Sequence, residues 1–135
     1  YLNNILAKVE ANKLGAQDAI MVNALGHLTE STTSNLFFVR EGRILTPSLG
    51  CGILSGITRE MVIQLCRDLG FEIEIGDLTQ DMVINADEAF FTGTASEITP
   101  IISVDDSPVG EGKPGSVTLQ LKTQYLNIVS INNIS

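Results

Sequence analysis

Asn35-Leu36-Phe37-Phe38-Val39-Arg40-Glu41-Gly42-Arg43-Ile44-Leu45 decides how this chain folds. Two apolar runs flank Glu41-Gly42, a pair that supplies turn geometry, so the stretch reads as strands Asn35 to Val39 and Arg43 to Leu45 folded back on each other. Upstream, Ala19 to Asn23 and Leu28 to Thr29 read as two further strands separated by a turn at Leu25-Gly26, which completes an antiparallel meander. At its turning point Thr29-Glu30-Ser31-Thr32-Thr33-Ser34-Asn35 places one carboxylate, Glu30, in a loop among small hydroxyl side chains. Gly, Asn and Asp make a solvated turn more readily than a run of Ser and Thr, and small hydroxyl residues suit a place where something polar comes close.

Ahead of the meander, Leu2, Ile5, Leu6 and Val9 recur at helical spacing and Gly15 closes the segment, which predicts an amphipathic helix over Tyr1 to Leu14. After it, Thr46 to Gly52 is a loop rich in breakers. A helix follows, with Thr58 as N-cap, Glu60 in its first turn, Gly70 at its end and Met61, Val62, Leu65, Cys66 and Leu69 along one stripe. Phe71 to Ile75 alternates as a strand, Thr79 to Ala86 reads as a short helix, and Glu88 to Phe91 is a strand delivering the loop Thr92-Gly93-Thr94-Ala95. Ile98 to Val104 leads to a turn at Asp105 to Pro108 and a Gly/Pro-rich passage from Gly110 to Gly115. A last helix carries Val117, Leu121, Tyr125 and Ile128 on one stripe and ends in a polar tail, Ser130 to Ser135, expected to fray. No repeat or linker divides the chain, so one α/β domain is expected, with a mixed, largely antiparallel sheet and helices packed against it.

At 135 residues, with 44% hydrophobic and 18% charged side chains, the chain can bury a sizeable core. A net charge of −8 with only eight Lys and Arg argues against nucleic acid as a partner. No apolar run approaches the ~18 to 20 residues of a membrane span, and no signal peptide opens the sequence, so a soluble, cytoplasmic protein is expected. Two cysteines without CxxC spacing fit a reducing compartment, and one histidine, His27, leaves little for a metal site. Tyr1 enters a helical pattern with no N-cap ahead of it, as if from the interior of a longer chain.

Three loops can carry chemistry. In Leu54-Ser55-Gly56-Ile57-Thr58, a glycine just ahead of a helix allows close approach to backbone N–H groups that lack intrahelical partners, and the helix dipole adds positive potential, which suits a phosphate. In Thr92-Gly93-Thr94-Ala95, hydroxyls and amides at a strand end can hold phosphate or carboxylate oxygens. Glu30 would need a cationic partner if buried. Each pattern alone is more often an ordinary loop. Together they suit one ligand with an anionic end and a protonatable nitrogen, and pyridoxal phosphate has both.

Glu30 to Phe37 with its E-x-x-x-S-N-L-F pattern, Gly52 to Arg59, Ala86 to Pro100 and Val109 to Gly115 resemble, in order, the class IV pyridoxal-phosphate aminotransferases, most closely the branched-chain amino acid aminotransferases. The resemblance implies the fold of the C-terminal domain of D-amino acid aminotransferase-like enzymes, a mixed sheet or pseudo-barrel with packed helices, over residues 1–129, with 130–135 as a tail. It implies that Glu30 pairs with the pyridine nitrogen, that Tyr1 hydrogen-bonds the ring hydroxyl and that Leu54 packs on the ring face. Gly56, Ile57 and Thr58 would cradle the phosphate with Thr94 as a further contact, Thr94 and Ala95 would hold the substrate carboxylate, and Ser34 and Asn35 would line the cofactor near its nitrogen side.

In that family the Schiff-base lysine lies a few residues upstream of the tyrosine matched by Tyr1, and neither Lys8 nor Lys13 fits its position. The smaller N-terminal domain is expected upstream too, so this chain by itself would be the cofactor domain without its catalytic residue. Ser31 and Thr33 stand where branched-chain enzymes usually have glycines, and serine-rich versions resemble D-amino acid aminotransferases, with related loops in aminodeoxychorismate lyases. The expected activity is transfer of the amino group of a branched-chain L-amino acid to 2-oxoglutarate in a homodimer or larger assembly, those two activities being the alternatives. A third is an inactive truncated domain that only binds ligand or dimerises.

Overall fold

The computed structural model describes residues 20–22, 28–31, 35–48, 56–79, 81–82, 85–93, 97–104 and 107–134. Its strands are β1 (Ile20–Val22), β2 (Leu28–Ser31), β3 (Asn35–Arg40), β4 (Arg43–Pro47), β5 (Glu72–Gly76), β6 (Glu88–Gly93), β7 (Glu97–Ile101), β8 (Ser103–Val104) and β9 (Ser107–Pro108). Helix α1 (Ile57–Asp68) lies between β4 and β5, and helix α2 (Ser116–Ile134) ends the fold. Five strands form one open sheet in the order β5-β4-β3-β6-β7. The expected helix over Tyr1 to Leu14 and the turn at Leu25-Gly26 lie outside the described residues.

The hairpin at the heart of the sheet forms as its sequence dictates. Arg40 pairs with Arg43, leaving Glu41 and Gly42 as a two-residue loop, both at positive φ (53° and 77°). That geometry matches the twist of the flanking strands, and Gly42 adopts it at no steric cost. β6 pairs antiparallel with the other edge of β3, and β7 with β6. The outermost pair differs, because β5 runs parallel to β4 from Arg43↔Glu72 to Pro47↔Gly76. A parallel neighbour needs a crossover, and α1 supplies it. The sheet is therefore mixed, as expected, with one parallel pair among antiparallel ones.

β3 is buried on both faces. Phe37 and Val39 point to the side covered by the helices and pack with Val62, Ile63 and Cys66 of α1 and Leu121 and Tyr125 of α2. Leu36 and Phe38 point the other way, onto Leu28, Leu45, Leu78 and Ala89. Burying each such side chain contributes roughly 1.5–3 kcal/mol. Phe37 also lies directly opposite Phe90, with ring centroids 5.1 Å apart and planes 2° from parallel.

Several boundaries move relative to the sequence expectation. β2 extends through Glu30 to Ser31, which pairs with Ile20, so the backbone of Glu30 belongs to a strand rather than a loop. β6 likewise runs through Thr92 and Gly93. Helix α1 starts at Ile57 with Gly56 as N-cap, not Thr58; the Glu60 N–H donates to the Gly56 carbonyl at 3.1 Å, and Thr58 is buried within the first turn. In the expected helix from Thr79 to Ala86, the described residues show a single turn, with the Asn85 N–H donating to the Asp81 carbonyl. Ser107-Pro108, expected within a turn, pairs with Ser103-Val104 as a small hairpin.

The last helix continues through the tail to Ile134, and Val129 rather than Ile128 completes its inward stripe. Its first turn is secured from across the sheet. The Glu88 carboxylate accepts from the N–H groups of Val117 (3.2 Å) and Thr118 (2.8 Å) and from the Thr118 hydroxyl (2.8 Å). A negative group there satisfies orphan donors and complements the helix dipole. A Cβ on Gly115 would collide with the Glu88 carboxyl carbon, which explains the glycine.

Glu88→Ala is expected to lower unfolding free energy by roughly 1–3 kcal/mol, since it strands part-buried donors, while Glu88→Gln keeps one acceptor oxygen for the two Thr118 donors, gives up the Val117 bond and loses less; denaturant titration measures both. Burial pushes the Cys66 thiol up from 9.0 to about 12. The unfolded thiol releases its proton first as pH rises, so the folded state loses stability between pH 9 and about 12. In Cys66→Ala that part of the alkaline decline is expected to vanish, as thermal melts across the window would record.

Candidate functional site at the N-terminus of helix α1

β6 turns Glu88, Phe90 and Thr92 to the helix-covered face, opposite Val39, Phe37 and Asn35 of β3. Its two polar ends approach two helices differently. Glu88 fills the N-terminus of α2, as described above. At the other end Asn35 and Thr92 face each other across the strands, and the Asn35 amide oxygen lies 2.6 Å from where a Cβ on Gly56 would stand. The N-terminus of α1 thus rests on Asn35, and its N-cap is a glycine with no side chain to accept from the first-turn N–H groups.

The same turn holds a buried cation. Arg59 is 2% exposed; its Nη2 donates to the Pro47 carbonyl at the end of β4 and its Nη1 to the Glu60 carboxylate, both at 2.9 Å. Glu60 is half exposed, so solvent weakens its hold on the charge and leaves positive potential in the turn. Two buried polar atoms, Arg59 Nε and Thr92 Oγ1, find no hydrogen-bond partner among the described residues. Buried polar groups are nearly always paired, so these two atoms are exceptions that each leave hydrogen-bonding capacity unused among the described residues. A helix N-terminus with backbone donors, dipole and a nearby guanidinium suits an anion.

The structure brings four of the sequence-predicted residues together: Asn35, Gly56, Ile57 and Thr58 meet where α1 begins. Asn35, which the resemblance places toward the ring nitrogen, has its amide against Gly56. Ile57 is 79% exposed. The backbone of Glu30 lies in β2, and its side chain is outside the described residues, as are Tyr1, Ser34, Leu54, Thr94 and Ala95. Arg59 and Thr92 were visible in the sequence only as members of the quoted motifs, with no signal for their burial. Among the described residues, no helix is long and apolar enough to cross a membrane.

Fold and site define an α/β domain with a helix start suited to an anion at one end of its sheet. The family model Amino-transferase class IV matches residues 1–104. The chain belongs to the class IV aminotransferase family. It is 42% identical over 130 residues to the branched-chain-amino-acid aminotransferase of Pseudomonas aeruginosa, covering 96% of this chain and 42% of that protein. Among solved structures, the branched-chain aminotransferase of the thermophilic archaeon Thermoproteus uzoniensis with norvaline superposes with a TM-score of 0.91 at 46% identity, over 96% of this chain and 42% of that one. The branched-chain amino acid aminotransferase of Thermobaculum terrenum in its PLP form gives 0.92 at 43% identity, over 96% and 42%. The chain thus spans less than half the length of these relatives.

Gly56 has ordinary extended dihedrals (φ −104°, ψ 142°), so a side chain there is opposed by Asn35 and not by the backbone. Gly56→Ala is expected to cost roughly 1–3 kcal/mol, as overpacking does, and Asn35→Ala in the same protein to recover part of it. A double-mutant cycle of unfolding free energies reads the coupling; additive values would show that the two residues do not meet.

Proposed function

We propose that the chain is the cofactor-binding domain, over residues 1–129, of a longer pyridoxal-phosphate aminotransferase. Its reaction moves the amino group of a branched-chain L-amino acid to 2-oxoglutarate. The observation that carries this reading is identity of about 40% along nearly the whole chain to enzymes named for that substrate class. The residues present fit the cofactor at its phosphate end: Gly56 caps α1 without a side chain to occupy the first-turn donors, and two buried polar atoms, Arg59 Nε and Thr92 Oγ1, have no partner among the described residues.

When bound, pyridoxal phosphate supplies an electron sink for the carbon that bears the substrate's amino group. The chain's own residues would then position it. The backbone N–H groups at Ile57 and Thr58 and the Thr58 hydroxyl hold the phosphate, with Thr94 as a further contact. Glu30 accepts a hydrogen bond from the ring nitrogen and keeps its proton in place. Tyr1 holds the ring hydroxyl, Leu54 covers one ring face, and Ser34 and Asn35 line the pocket. The amides of Thr94 and Ala95 hold the substrate carboxylate. The lysine that moves the proton on the substrate lies upstream of Tyr1, in a full-length protein that assembles as a homodimer or larger.

The full-length protein is expected to show a visible absorbance band from bound cofactor and to form glutamate from 2-oxoglutarate with L-leucine but not D-alanine. Glu30→Ala is expected to keep the melting temperature close to wild type and lose turnover by on the order of a hundredfold, the scale of one preorganised electrostatic partner. Preference for D-alanine would overturn the substrate assignment, and near-normal turnover in the variant the role of Glu30.

A further inference from the structure

Of the polar side chains on the helix-covered face of β6, Glu88 is accounted for by α2 and Thr92 is not. Thr92 is fully buried, and its hydroxyl has no partner among the described residues. Valine has nearly the same shape, suits a strand equally well and buries no hydroxyl, so packing gives no reason for a threonine here. Neighbouring positions on the same face are filled by Phe90 and Ile98, both fully apolar. The position of the hydroxyl is what distinguishes it. Asn35 is its direct cross-strand partner and rests against Gly56, so Thr92 lies one side chain from the first turn of α1, where Arg59 Nε is the second unpartnered atom among the described residues.

We infer that the Thr92 hydroxyl is a further phosphate-binding group: it donates its hydrogen bond to an oxygen of the phosphate held at the N-terminus of α1. The inference rests on the reading of that helix start as the phosphate site. It makes the floor of the cradle a pair from two strands, Asn35 from β3 and Thr92 from β6, under donors that come from α1. The hydroxyl finds no partner within the described fold because its partner is the ligand. A buried hydroxyl without a partner destabilises the ligand-free protein, and the hydrogen bond formed on binding relieves that cost.

The test uses the full-length protein as wild type, Thr92→Val and Thr92→Ser, freed of cofactor. Equilibrium binding of pyridoxal 5'-phosphate and of pyridoxal, which lacks the phosphate, is followed by absorbance, and the ligand-free melting temperature is measured alongside. Thr92→Val is expected to weaken pyridoxal 5'-phosphate about tenfold, the scale of one hydrogen bond to a charged group, and to leave pyridoxal unchanged. Its ligand-free melting temperature should equal or exceed that of wild type, and Thr92→Ser should bind close to wild type. Unchanged phosphate-ester affinity in Thr92→Val overturns the inference. So does equal weakening toward both ligands, or a lower ligand-free melting temperature that serine restores, which would mark a purely structural hydroxyl. Wild-type protein that binds pyridoxal 5'-phosphate no better than pyridoxal overturns the phosphate-site reading itself, and the inference with it.

Discussion

Burial of β3 on both faces is the constraint on which the rest of the structure depends. Five consecutive side chains, Asn35 to Val39, are inside the protein. Alternation along a strand then requires two covering layers, one for Phe37 and Val39 and one for Leu36 and Phe38. The helices meet the first requirement and the segments around Leu28, Leu78 and Val109 the second. The only polar member of the run, Asn35, sits at its start, where apolar cover gives way to the first turn of α1. The candidate site therefore lies where the demand for apolar burial ends.

β6 repeats the pattern with polar groups at both ends and a stacked phenylalanine between them. Glu88 and Thr92 each come near a helix N-terminus, and both termini carry the same partial positive charge. One is neutralised by the protein's own carboxylate. The other is given a glycine, an amide, a hydroxyl and a buried guanidinium, which shape and polarise the place without filling it. The two helix starts differ in where the acid sits: Glu88 of β6 accepts from the first-turn N–H groups of α2, whereas the acid in the first turn of α1, Glu60, pairs with Arg59.

The parts of this arrangement encoded locally were readable from the sequence. The β3–β4 hairpin follows from Glu41-Gly42 and its apolar flanks, and α1 from its stripe of Val62, Leu65 and Cys66. Asn35, Gly56, Ile57 and Thr58 were nominated by motif and come together in space. What depends on partners distant in sequence was not readable: the parallel pairing of β5 with β4, the Glu88 cap on α2, the burial of Arg59 under Pro47, and the orphaned hydroxyl of Thr92. Helix α1 is capped two positions earlier than its sequence suggests, because a threonine is a good N-cap in isolation, whereas tertiary burial turns Thr58 inward and leaves the cap to Gly56.

The register Asn35↔Thr92 also has a consequence for how the molecule is made. The β3–β4 hairpin closes over two residues and has little loop entropy to overcome, but β6 docks on β3 only after the intervening helix and strand have been brought round. The Asn35–Thr92 pairing thus carries a larger loop-closure cost than the hairpin. A ligand that binds there recognises only the finished sheet, and its arrival reports that the long-range pairing has been achieved. Chains that fail to seat β6 on β3 would lack the Asn35–Thr92 floor of the candidate site, so occupancy there and completion of the sheet go together.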